Sequence, residues 1–457
     1  MYMNSVFVIL LISIASSNAE CPNKCKCSFT AGLTVDCSNG GLTEIPKLDG
    51  NEANVTRFLL QNNRIRKIDN IKHLKNLTTL QLSNNLITVI NGDEFPDENY
   101  IANLDVSTNR LSGISNLAFA NLTELVNLDL HSNKIYGSQV AEDIFKENAI
   151  LQDVDLSQNP LQSLNDRARN YGTLRLRTIE RLNLANCYLS AIDGQLRDAI
   201  ELRYLNLSNN FIKTMPNLNN LYALETLVID GNPISPLGCA YYSYDTCGYA
   251  RLKHLYASNM KMATSFSGFS NLQNLETLIM ENNTRLGDTF DTATSDYKQS
   301  HPYLRHISLK NSRIMRLAEE ALDWNNMDYI NIQGNLLICD CKAKWLKTLK
   351  NLDGGYECAD DNIVSEHNRH HYNPCSWWPI ITMSAIYGGW TLAGIVALVV
   401  LIVVGKRVPR YYRKTSDFVR HTLAGRFVLK SSVTQRLLDD EEFMNKLKSK
   451  LLEDAEK

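Results

Sequence analysis

Residues 101–135 read IANLDVSTNRLSGISNLAFANLTELVNLDLHSNKI and contain the same eleven-residue pattern, LxxLxLxxNxL, twice. The first copy starts at Ile101 and the second at Leu125, 24 residues later. The pattern recurs every 22 to 29 residues in about twelve copies, which start at Val55, Leu77, Ile101, Leu125, Leu151, Ile179, Leu202, Leu224, Leu252, Leu275, Leu304 and Met327. A fixed period of this length predicts a stack of similar coils, none of which folds alone.

The spacing within each copy has a physical cause. In the xLxLx core, alternate residues of a strand point to opposite faces, so the leucines enter the core and their neighbours face outward. The Asn that follows can donate and accept hydrogen bonds, and we expect it to satisfy backbone groups where the strand ends and the chain turns. Stacked coils then place their strands side by side in one parallel sheet.

Three copies replace this Asn, with Cys187, Met260 and Ser312. Cys187 has two interpretations. It is a reactive thiol, or it is a small buried side chain that substitutes for Asn within the repeat. The second interpretation is preferred.

The composition excludes several classes of protein. The chain has 457 residues, of which 44% are hydrophobic and 21% charged, with a net charge of -2. Disorder and collagen do not fit these values, and binding to DNA or RNA needs an excess of Lys and Arg that the chain lacks. We therefore expect no nucleic-acid partner.

Two apolar segments predict the topology of the chain in a membrane. Val6 to Ala15 is too short to span a bilayer, and small residues follow it up to Ala19, which predicts a cleaved secretory signal peptide at residues 1–19. Residues 380–404 contain no charge and are long enough for a transmembrane helix. Aromatic residues precede this segment and five basic residues follow it, so residues 405–457 are predicted to be cytoplasmic.

Eight cysteines lie in two groups that flank the repeats. The sequence CPNKCKC with Cys37 and GLTEIP resembles the N-terminal cap of extracellular leucine-rich-repeat proteins, and ICDCKAKWL with Cys358 and Cys375 resembles their C-terminal cap. By this resemblance the pairs are Cys21–Cys27, Cys25–Cys37, Cys339–Cys358 and Cys341–Cys375. Zinc is the alternative use of four cysteines, but an oxidising exterior favours disulfides, so no metal is expected. Cys239 and Cys247 are expected to pair across a tyrosine-rich loop.

The repeats and caps together predict the domain organisation. The predicted fold is an α/β solenoid, a leucine-rich-repeat horseshoe with a curved parallel sheet of about twelve repeats, disulfide-stapled caps and one transmembrane helix. Its segments are a signal peptide (1–19), an N-terminal cysteine cap (20–54), the repeats (55–337), a C-terminal cysteine cap (338–376), the transmembrane helix (380–404) and a cytoplasmic tail (405–457).

The outward strand positions supply the candidate ligand-binding residues. An acidic sector comes first, with Asp105, Asp129 and Asp155 in a column that a basic partner would relieve, although the same residues also fit the consensus of the repeat. An aromatic sector follows, with candidates Tyr204, His254, Tyr256, His306 and Tyr329. The aromatic sector departs further from the consensus and is the preferred protein contact.

Five sequons predict glycans, at Asn54, Asn76, Asn121, Asn206 and Asn282. Asn206 lies at an outward strand position, so a glycan there would obstruct the middle of the concave face. No catalytic residues and no cofactor are expected, because no nucleophile lies at a recognisable spacing from a base. A histidine group at His367, His370 and His371 is interpreted as solvated.

These features predict a type I cell-surface protein that binds an extracellular or cell-surface protein partner in adhesion or signalling, without enzymatic activity. A first alternative is an auxiliary subunit of a channel or transporter in the same membrane, for which Gly388, Gly389 and Gly394 would allow close helix packing. A second alternative rests on domain order and the short tail, which resemble those of trophoblast glycoprotein and imply modulation of Wnt-type signalling. The tail is a candidate docking segment for a cytoplasmic partner.

Overall fold

The computed structural model of the chain describes residues 21–29, 32–48, 54–140, 143–163, 176–192, 196–234, 251–260, 272–284, 286, 301–339, 341–359 and 363–364. All of them belong to the first of two units, Met1–Cys375, and none to the second, Ser376–Lys457. The predicted signal peptide, transmembrane helix, tail and Cys239–Cys247 pair lie outside these residues. Within them, no helix is both long enough and apolar enough to cross a bilayer.

The main element of the described region is a fifteen-stranded sheet. Its order is β1-β2-β3-β4-β6-β8-β9-β10-β11-β12-β13-β14-β15-β16-β18, and every neighbouring pair is parallel except β1 and β2. The bounds are β1 Lys26–Phe29, β2 Leu33–Asp36, β3 Val55–Leu59, β4 Thr79–Gln81, β6 Asn103–Asp105, β8 Asn127–Asp129, β9 Asp153–Asp155, β10 Arg181–Asn183, β11 Tyr204–Asn206, β12 Thr226–Val228, β13 His254–Tyr256, β14 Thr277–Ile279, β15 His306–Ser308, β16 Tyr329–Asn331 and β18 Leu352–Asp353.

Twelve of these strands coincide with the twelve sequence copies, and eleven turns of the solenoid connect them. We number the coils 1 to 12 by their strands β3, β4, β6 and β8 to β16. Two smaller sheets accompany the main one, a pair formed by β5 (Val89–Ile90) and β7 (Gly113–Ile114), and a three-stranded sheet of β17 (Leu336–Leu337), β19 (Tyr356–Cys358) and β20 (Ile363–Val364). The parallel solenoid predicted from the sequence is confirmed.

The described residues show no α-helix on the side of the coils opposite the main sheet. The described residues contain strands, turns and 3₁₀ helices at Gly137–Gln139, Trp324–Asn326 and Cys341–Thr348, and no α-helix. The reason is the length of the coils. After an eleven-residue strand and turn, a repeat of 22 to 24 residues must cross the core and return, which leaves no room for several α-helical turns.

Most strands of the repeats bury their middle residue and leave its two neighbours at least partly exposed; in β15 and β16 the following residue, Ser308 or Asn331, is buried as well. In β8, for example, Leu128 is buried while Asn127 and Asp129 are half-buried on the open face. The leucines of all coils join in one core, with Leu80, Leu205 and Leu227 fully buried. The open face is therefore a regular array of polar and aromatic side chains over an apolar core.

The repeated Asn forms a ladder inside the stack. In coil 4, Asn133 Nδ2 donates to Val106 O and Leu130 O, both at 3.0 Å, and its Oδ1 accepts from Leu111 N at 3.0 Å. Equivalent bonds are made by the buried side chains of Asn63, Asn85, Asn109, Asn159, Asn210, Asn232 and Asn335. The predicted role of Asn in satisfying backbone groups is confirmed.

Three coils lack the ladder Asn, and in two of them a small residue that can donate a hydrogen bond takes its place. Ser312 Oγ donates to Met280 O at 2.8 Å, and Cys187 Sγ donates to Leu156 O at 3.3 Å. Cys187 is fully buried and unpaired among the described cysteines. Burial raises the pKa of its thiol to about 12, which supports the structural interpretation of this residue.

We expect Cys187 to resist alkylation while the protein is folded. Thiolate is the reactive species, and a pKa of about 12 instead of 9.0 makes the thiolate fraction at pH 8 roughly a thousandfold smaller. The measurement is the rate of iodoacetamide labelling at Cys187 by mass spectrometry, with and without 8 M urea. Equal rates in the two conditions would contradict the buried position.

A left-handed residue precedes the ladder position in every coil. Its φ lies between 52° and 69°, and the residues are Asn62, Asn84, Thr108, Ser132, Gln158, Asn186, Asn209, Gly231, Asn259, Asn282, Asn311 and Gly334. Asn and Gly tolerate this conformation best, which explains their frequency here. The turn that ends each strand therefore has the same geometry from coil 1 to coil 12.

Disulfides close the ends of the core. Cys21 pairs with Cys27 and Cys25 with Cys37, as predicted, and Cys37 is fully buried under coil 1. At the other end Cys339 pairs with Cys358, and Trp345 packs on Trp324 with ring centroids 5.4 Å apart. The predicted Cys341–Cys375 bond lies outside the described residues, because Cys375 does.

Alternating charges line the start of the strands from coil 6 to coil 12. The residue before each strand is, in order, Glu180, Arg203, Glu225, Lys253, Glu276, Arg305 and Asp328. Backbone hydrogen bonds stack neighbours directly, as from Glu225 N to Arg203 O at 2.9 Å. Glu225 Oε1 lies 3.3 Å from Arg203 Nη1 and 3.4 Å from Lys253 Nζ. Glu225 thus faces an opposite charge on each side.

Reversing the central charge should destabilise the protein. Glu225→Lys replaces two ion pairs by two repulsions, each worth roughly 0.2–1 kcal/mol at such exposed sites, so we expect a loss of about 1–2 kcal/mol in the free energy of unfolding. Urea denaturation measures it, with Glu225→Gln as the control that removes attraction only. The difference between the two variants should shrink in 1 M salt. A Lys variant as stable as the Gln variant would contradict the charge column.

Candidate protein-binding face

Two columns of side chains run along the open face of the sheet. Strand register places Asn103, Asn127, Asp153, Arg181, Tyr204, Thr226, His254, Thr277, His306 and Tyr329 in one column. The other column contains Asp105, Asp129, Asp155, Asn183, Asn206, Val228, Tyr256, Ile279, Ser308 and Asn331. All eight candidate ligand-binding residues from the sequence lie in these columns.

The acidic column is held in place by the turns that follow the strands. Asp105 Oδ1 accepts from Ser107 N at 2.9 Å, and Asp155 Oδ1 accepts from Ser157 N at 2.8 Å. Asp129 Oδ1 accepts from His131 N at 3.0 Å and lies 2.7 Å from His131 Nδ1. Burial raises the pKa of Asp129, and the neighbouring Asp105 raises it further, against the hydrogen bonds from His131.

A fourth carboxylate and one cation complete this sector. Asp153 lies in the adjacent column, where burial raises its pKa and Arg181 lowers it. Arg181 Nε lies 3.5 Å from Asp153 Oδ1, and its guanidinium lies 4.4 Å from the centre of the Tyr204 ring. Arg181 therefore joins the acidic sector to the aromatic one. Arg181 belongs to coil 6, which supplies none of the candidate residues predicted from the sequence. The repeat that starts at Ile179 nevertheless places Arg181 at the outward position that Asp153 occupies in coil 5.

A recess of about 330 Å³ lies over this part of the open face. Its walls come from coils 2 to 7 and include Thr79, Gln81, Asn103, Asp105, Asn127, Asp129, Asp153, Asp155, Arg181, Asn183 and Tyr204. Among these lining residues, four are carboxylates and one is a cation. The recess is therefore suited to a positively charged group that arrives with its own hydrogen-bond donors.

Apart from Tyr204, the aromatic sector lies outside this recess, and one of its residues has a structural role. The Tyr329 hydroxyl donates to Asp353 Oδ2 at 3.1 Å and accepts from Asn331 Nδ2 at 3.1 Å, so this residue ties coil 12 to the C-terminal cap. His254 and Tyr256 are half-buried on coil 9, and His306 is exposed on coil 11. The structure brings these residues to one face, and none of the four lines the recess over coils 2 to 7.

Three side chains of the acidic sector have the donor atoms of a cation site. One donor atom from each of Asp129, His131 and Asp155 lies within 4.8 Å of the others. These atoms already have partners, since Asp155 Oδ2 accepts from Asn183 Nδ2 at 2.8 Å and Asp129 Oδ1 contacts His131. We assign no metal to this group.

The sequons occupy different parts of the coils. Asn54, Asn76 and Asn282 are exposed, and Asn121 is half-buried with its Nδ2 donating to Asp97 Oδ1 at 3.2 Å. Asn206 lies on the open face next to Tyr204, and its Oδ1 accepts from Ser208 N at 3.0 Å. Glycosylation at these sites stays a prediction. A glycan on Asn206 would border the recess on its C-terminal side.

Replacing Asp129 by Asn should stabilise the protein at neutral pH. A raised pKa means that folding favours the protonated acid, so its contribution to stability is complete below pH 3.8 and is lost as pH rises through the folded pKa. Asn keeps the acceptor for His131 without the charge. Because the side chain is 38% exposed, we expect a gain below about 1 kcal/mol.

Thermal unfolding at pH 7 and pH 3.5 measures this effect. The gain in Tm should be present at pH 7 and absent at pH 3.5. Asp36→Asn is the control and should lower Tm at pH 7. Hydrogen bonds from Ser38 lower the pKa of Asp36, so its charged form stabilises the fold. A destabilised Asp129→Asn variant at pH 7 would contradict the account.

Family comparisons match both the cap and the repeats. The family described as Leucine rich repeat N-terminal domain matches residues 20–48, Leucine rich repeat matches residues 53–111, and Leucine Rich repeats (2 copies) matches residues 200–239. The described residues of these three ranges form the N-terminal cap, coils 1 to 3, and coils 7 and 8.

Curated relatives share only part of their length with this chain. A peroxidasin homolog of Caenorhabditis briggsae is 46% identical over 68 residues, which are 14% of this chain and 5% of the relative. Human leucine-rich repeat-containing protein 3B is 40% identical over 93 residues, 20% of this chain and 33% of that protein. Human platelet glycoprotein IX is 35% identical over 82 residues, 17% of this chain and 45% of that protein. The chain thus spans less than half of each.

Solved structures share the fold at low sequence identity. An internalin of Listeria monocytogenes matches with a TM-score of 0.52 and 18% identity, over 70% of this chain and 86% of its own. A chain from an octameric complex of latrophilin 3, Unc5D and FLRT2 matches with a TM-score of 0.52 and 22% identity, over 73% and 93%. The described part of this chain is accordingly a leucine-rich-repeat solenoid that begins with an LRR N-terminal cap closed by disulfides.

Proposed function

We propose that the chain is a type I cell-surface protein whose open sheet face, predicted to be concave, binds a basic segment of another extracellular or cell-surface protein, without enzymatic activity. The observation that carries the binding mode is the recess over coils 2 to 7. Four carboxylates line it against the single cation Arg181, and that cation is already paired with Asp153. A lysine or arginine side chain of a partner would relieve the repulsion within the column Asp105, Asp129 and Asp155.

The surroundings of the recess support a protein rather than a small ion as the ligand. The recess is open along the sheet, and Tyr204 at its end offers a large, rigid apolar surface of the kind that interfaces favour. One solved structure with this fold is a complex of an LRR protein with latrophilin 3 and Unc5D, so the fold is compatible with protein partners. Placement at the cell surface rests on the predicted signal peptide and transmembrane helix.

A binding screen with charge-reversal variants tests the proposal. The full chain is displayed on cells and exposed to a panel of purified extracellular domains, and saturable binding is measured by flow cytometry. For a partner that binds, Asp129→Lys together with Asp155→Lys should weaken binding at least about tenfold, because each removes an ion pair and adds repulsion. Glu98→Lys is the matched control, since its side chain is 88% exposed away from this face.

The other outcomes point elsewhere. If binding survives charge reversal but is lost on changing Tyr256 and His306 to Ala, the aromatic sector is the site and the acidic proposal is wrong. If no domain binds and a multi-pass membrane protein copurifies with the full chain, the auxiliary-subunit alternative is supported instead.

A further inference from the structure

A row of side chains lies on the lateral face of the solenoid, immediately after the ladder position of each coil. Backbone hydrogen bonds align the row, as from Arg110 N to Ile87 O and from Lys134 N to Leu111 O, both 2.9 Å. From coil 1 to coil 8 the row reads Arg64, Leu86, Arg110, Lys134, Pro160, Tyr188, Phe211 and Pro233. It is thus basic in its first half and apolar in its second.

The apolar half contains a pair of exposed aromatic rings. Tyr188 is 56% exposed and Phe211 55% exposed, and their ring centroids lie 5.9 Å apart on adjacent coils. Half-buried Pro160 and Pro233 flank them. Exposed apolar side chains that lie next to one another on a surface are typical of contact sites.

Tyr188 keeps this position in a backbone conformation that bulky residues avoid. Its φ is 59°, in the left-handed region, which strains a side chain with a Cβ. The cause is local. Both Cys187 and Ser312 replace the ladder Asn, and the residue after each, Tyr188 and Arg313, is left-handed. An Asn would fit Tyr188's conformation with less strain, so the aromatic ring is not there for stability of the turn.

Charge on this lateral face has one sign. The outward residues of this face lie one and three positions after the ladder residue of each coil. Coils 1 to 8 have fifteen such described positions, and none of the fifteen is a carboxylate. Five of them are cations: Arg64, Arg66, Arg110, Lys134 and Lys213. All five are exposed, and none forms an ion pair with a described residue. This contrasts with the acidic open face.

We propose that this lateral face, defined by Arg110, Lys134, Pro160, Tyr188, Phe211 and Pro233, binds an extended acidic segment of a partner protein that carries a large apolar residue. The carboxylates of the segment pair with Arg110 and Lys134, and its apolar residue packs on Tyr188 and Phe211. The distance from coil 3 to coil 7 is about 20 Å at 4.8 Å per strand, which an extended segment covers with about six residues.

Two features favour this occupant over a second copy of the chain. A symmetric contact between two copies of this row would leave its cations unpaired, because no described acid lies in the row to compensate them. None of the five sequons falls on it, so predicted glycans leave this face accessible. The site is separate from the proposed binding recess and independent of it.

Synthetic peptides test the proposal on the purified full chain. The probes are twelve-residue peptides with Asp and Glu in one half and Phe, Trp or Tyr in the other, and matched peptides in which Asn and Gln replace the acids. Fluorescence anisotropy measures their Kd. We expect binding of acidic peptides, at least tenfold weaker binding of their amide counterparts, and weaker binding in 0.5 M salt.

Variants locate the site. Tyr188→Asn should weaken peptide binding at least tenfold while leaving Tm unchanged or raising it, which separates binding from folding. Lys134→Glu should also weaken peptide binding at least tenfold. Arg313→Asn changes the equivalent left-handed residue of coil 11 and should leave affinity unchanged, as should Asp129→Lys on the open face.

Several results would overturn the proposal. The proposal fails if acidic and amide peptides bind equally well, or if no peptide binds. It also fails if Arg313→Asn and Tyr188→Asn weaken peptide affinity equally. Sedimentation velocity supplies a further check, since a dimer of the chain that dissociates on Phe211→Ala would make a second copy the occupant.

Discussion

Replacing Asn133 by Ala is expected to lower the free energy of unfolding by about 3–5 kcal/mol. The side chain is buried and satisfies Val106 O, Leu130 O and Leu111 N on two adjacent coils. Alanine leaves Leu111 N without its acceptor in the core, which costs about 1–3 kcal/mol. It also removes one of the two amide donors from each of Val106 O and Leu130 O, at about 0.5–1.5 kcal/mol each, although Asn109 Nδ2 and Asn159 Nδ2 still donate to them. The effect is large because one side chain serves the stacking of two coils.

A graded series at this position makes the test specific. Asn133→Ser should lose less than Asn133→Ala, because Ser312 already shows that a hydroxyl in this position can donate to the preceding coil at 2.8 Å. Asn133→Asp should lose the most, since it removes the donor and buries a charge. Urea denaturation measures the series. The same stability for Ala and Ser would mean that the ladder bonds contribute little.

Replacing Phe119 by Ala should also cost about 3–5 kcal/mol. Phe119 is fully buried on the side of the core opposite the sheet, and it stacks on Phe145 with ring centroids 5.9 Å apart and 18° between the ring planes. Its removal leaves a cavity between coils 3 and 4 that the disulfide-capped stack cannot close by sliding.

Leu117→Ala is the matched control for this change. Leu117 lies two residues away and is 67% exposed, so its loss should alter stability by no more than about 0.5 kcal/mol. Thermal and urea denaturation of the two variants measure the contrast. Equal losses would show that Phe119 is not part of a tightly packed core.

The main sheet and its core were predictable because the eleven-residue pattern repeats in every coil. Alternation assigns Leu128 to the core and Asp129 to the open face, and the ladder role of Asn133 follows from its place after the strand. Cap cysteines were paired by resemblance, and the structure joins Cys21 to Cys27 and Cys25 to Cys37 as expected.

Features outside the repeated pattern were not predictable. The segments that return to the next strand differ in length, so nothing in the sequence marks Asn148, whose Nδ2 donates to Phe119 O and Leu122 O at 2.9 and 2.7 Å. Contacts between unlike side chains on neighbouring coils, such as Arg181 over Tyr204, depend on rotamers. The left-handed Tyr188 follows from the changed turn at Cys187, which requires the backbone to be seen.

The proposal that the acidic recess binds a protein partner is tested most directly by carboxyl footprinting of the full chain. Glycine ethyl ester is coupled to accessible carboxylates with and without a partner found in the binding screen, and mass spectrometry quantifies each site. We expect labelling of Asp105, Asp129, Asp153 and Asp155 to fall several-fold on binding, while exposed Glu98 is unaffected. Unchanged labelling of all four recess carboxylates in the presence of saturating partner would contradict the proposed site.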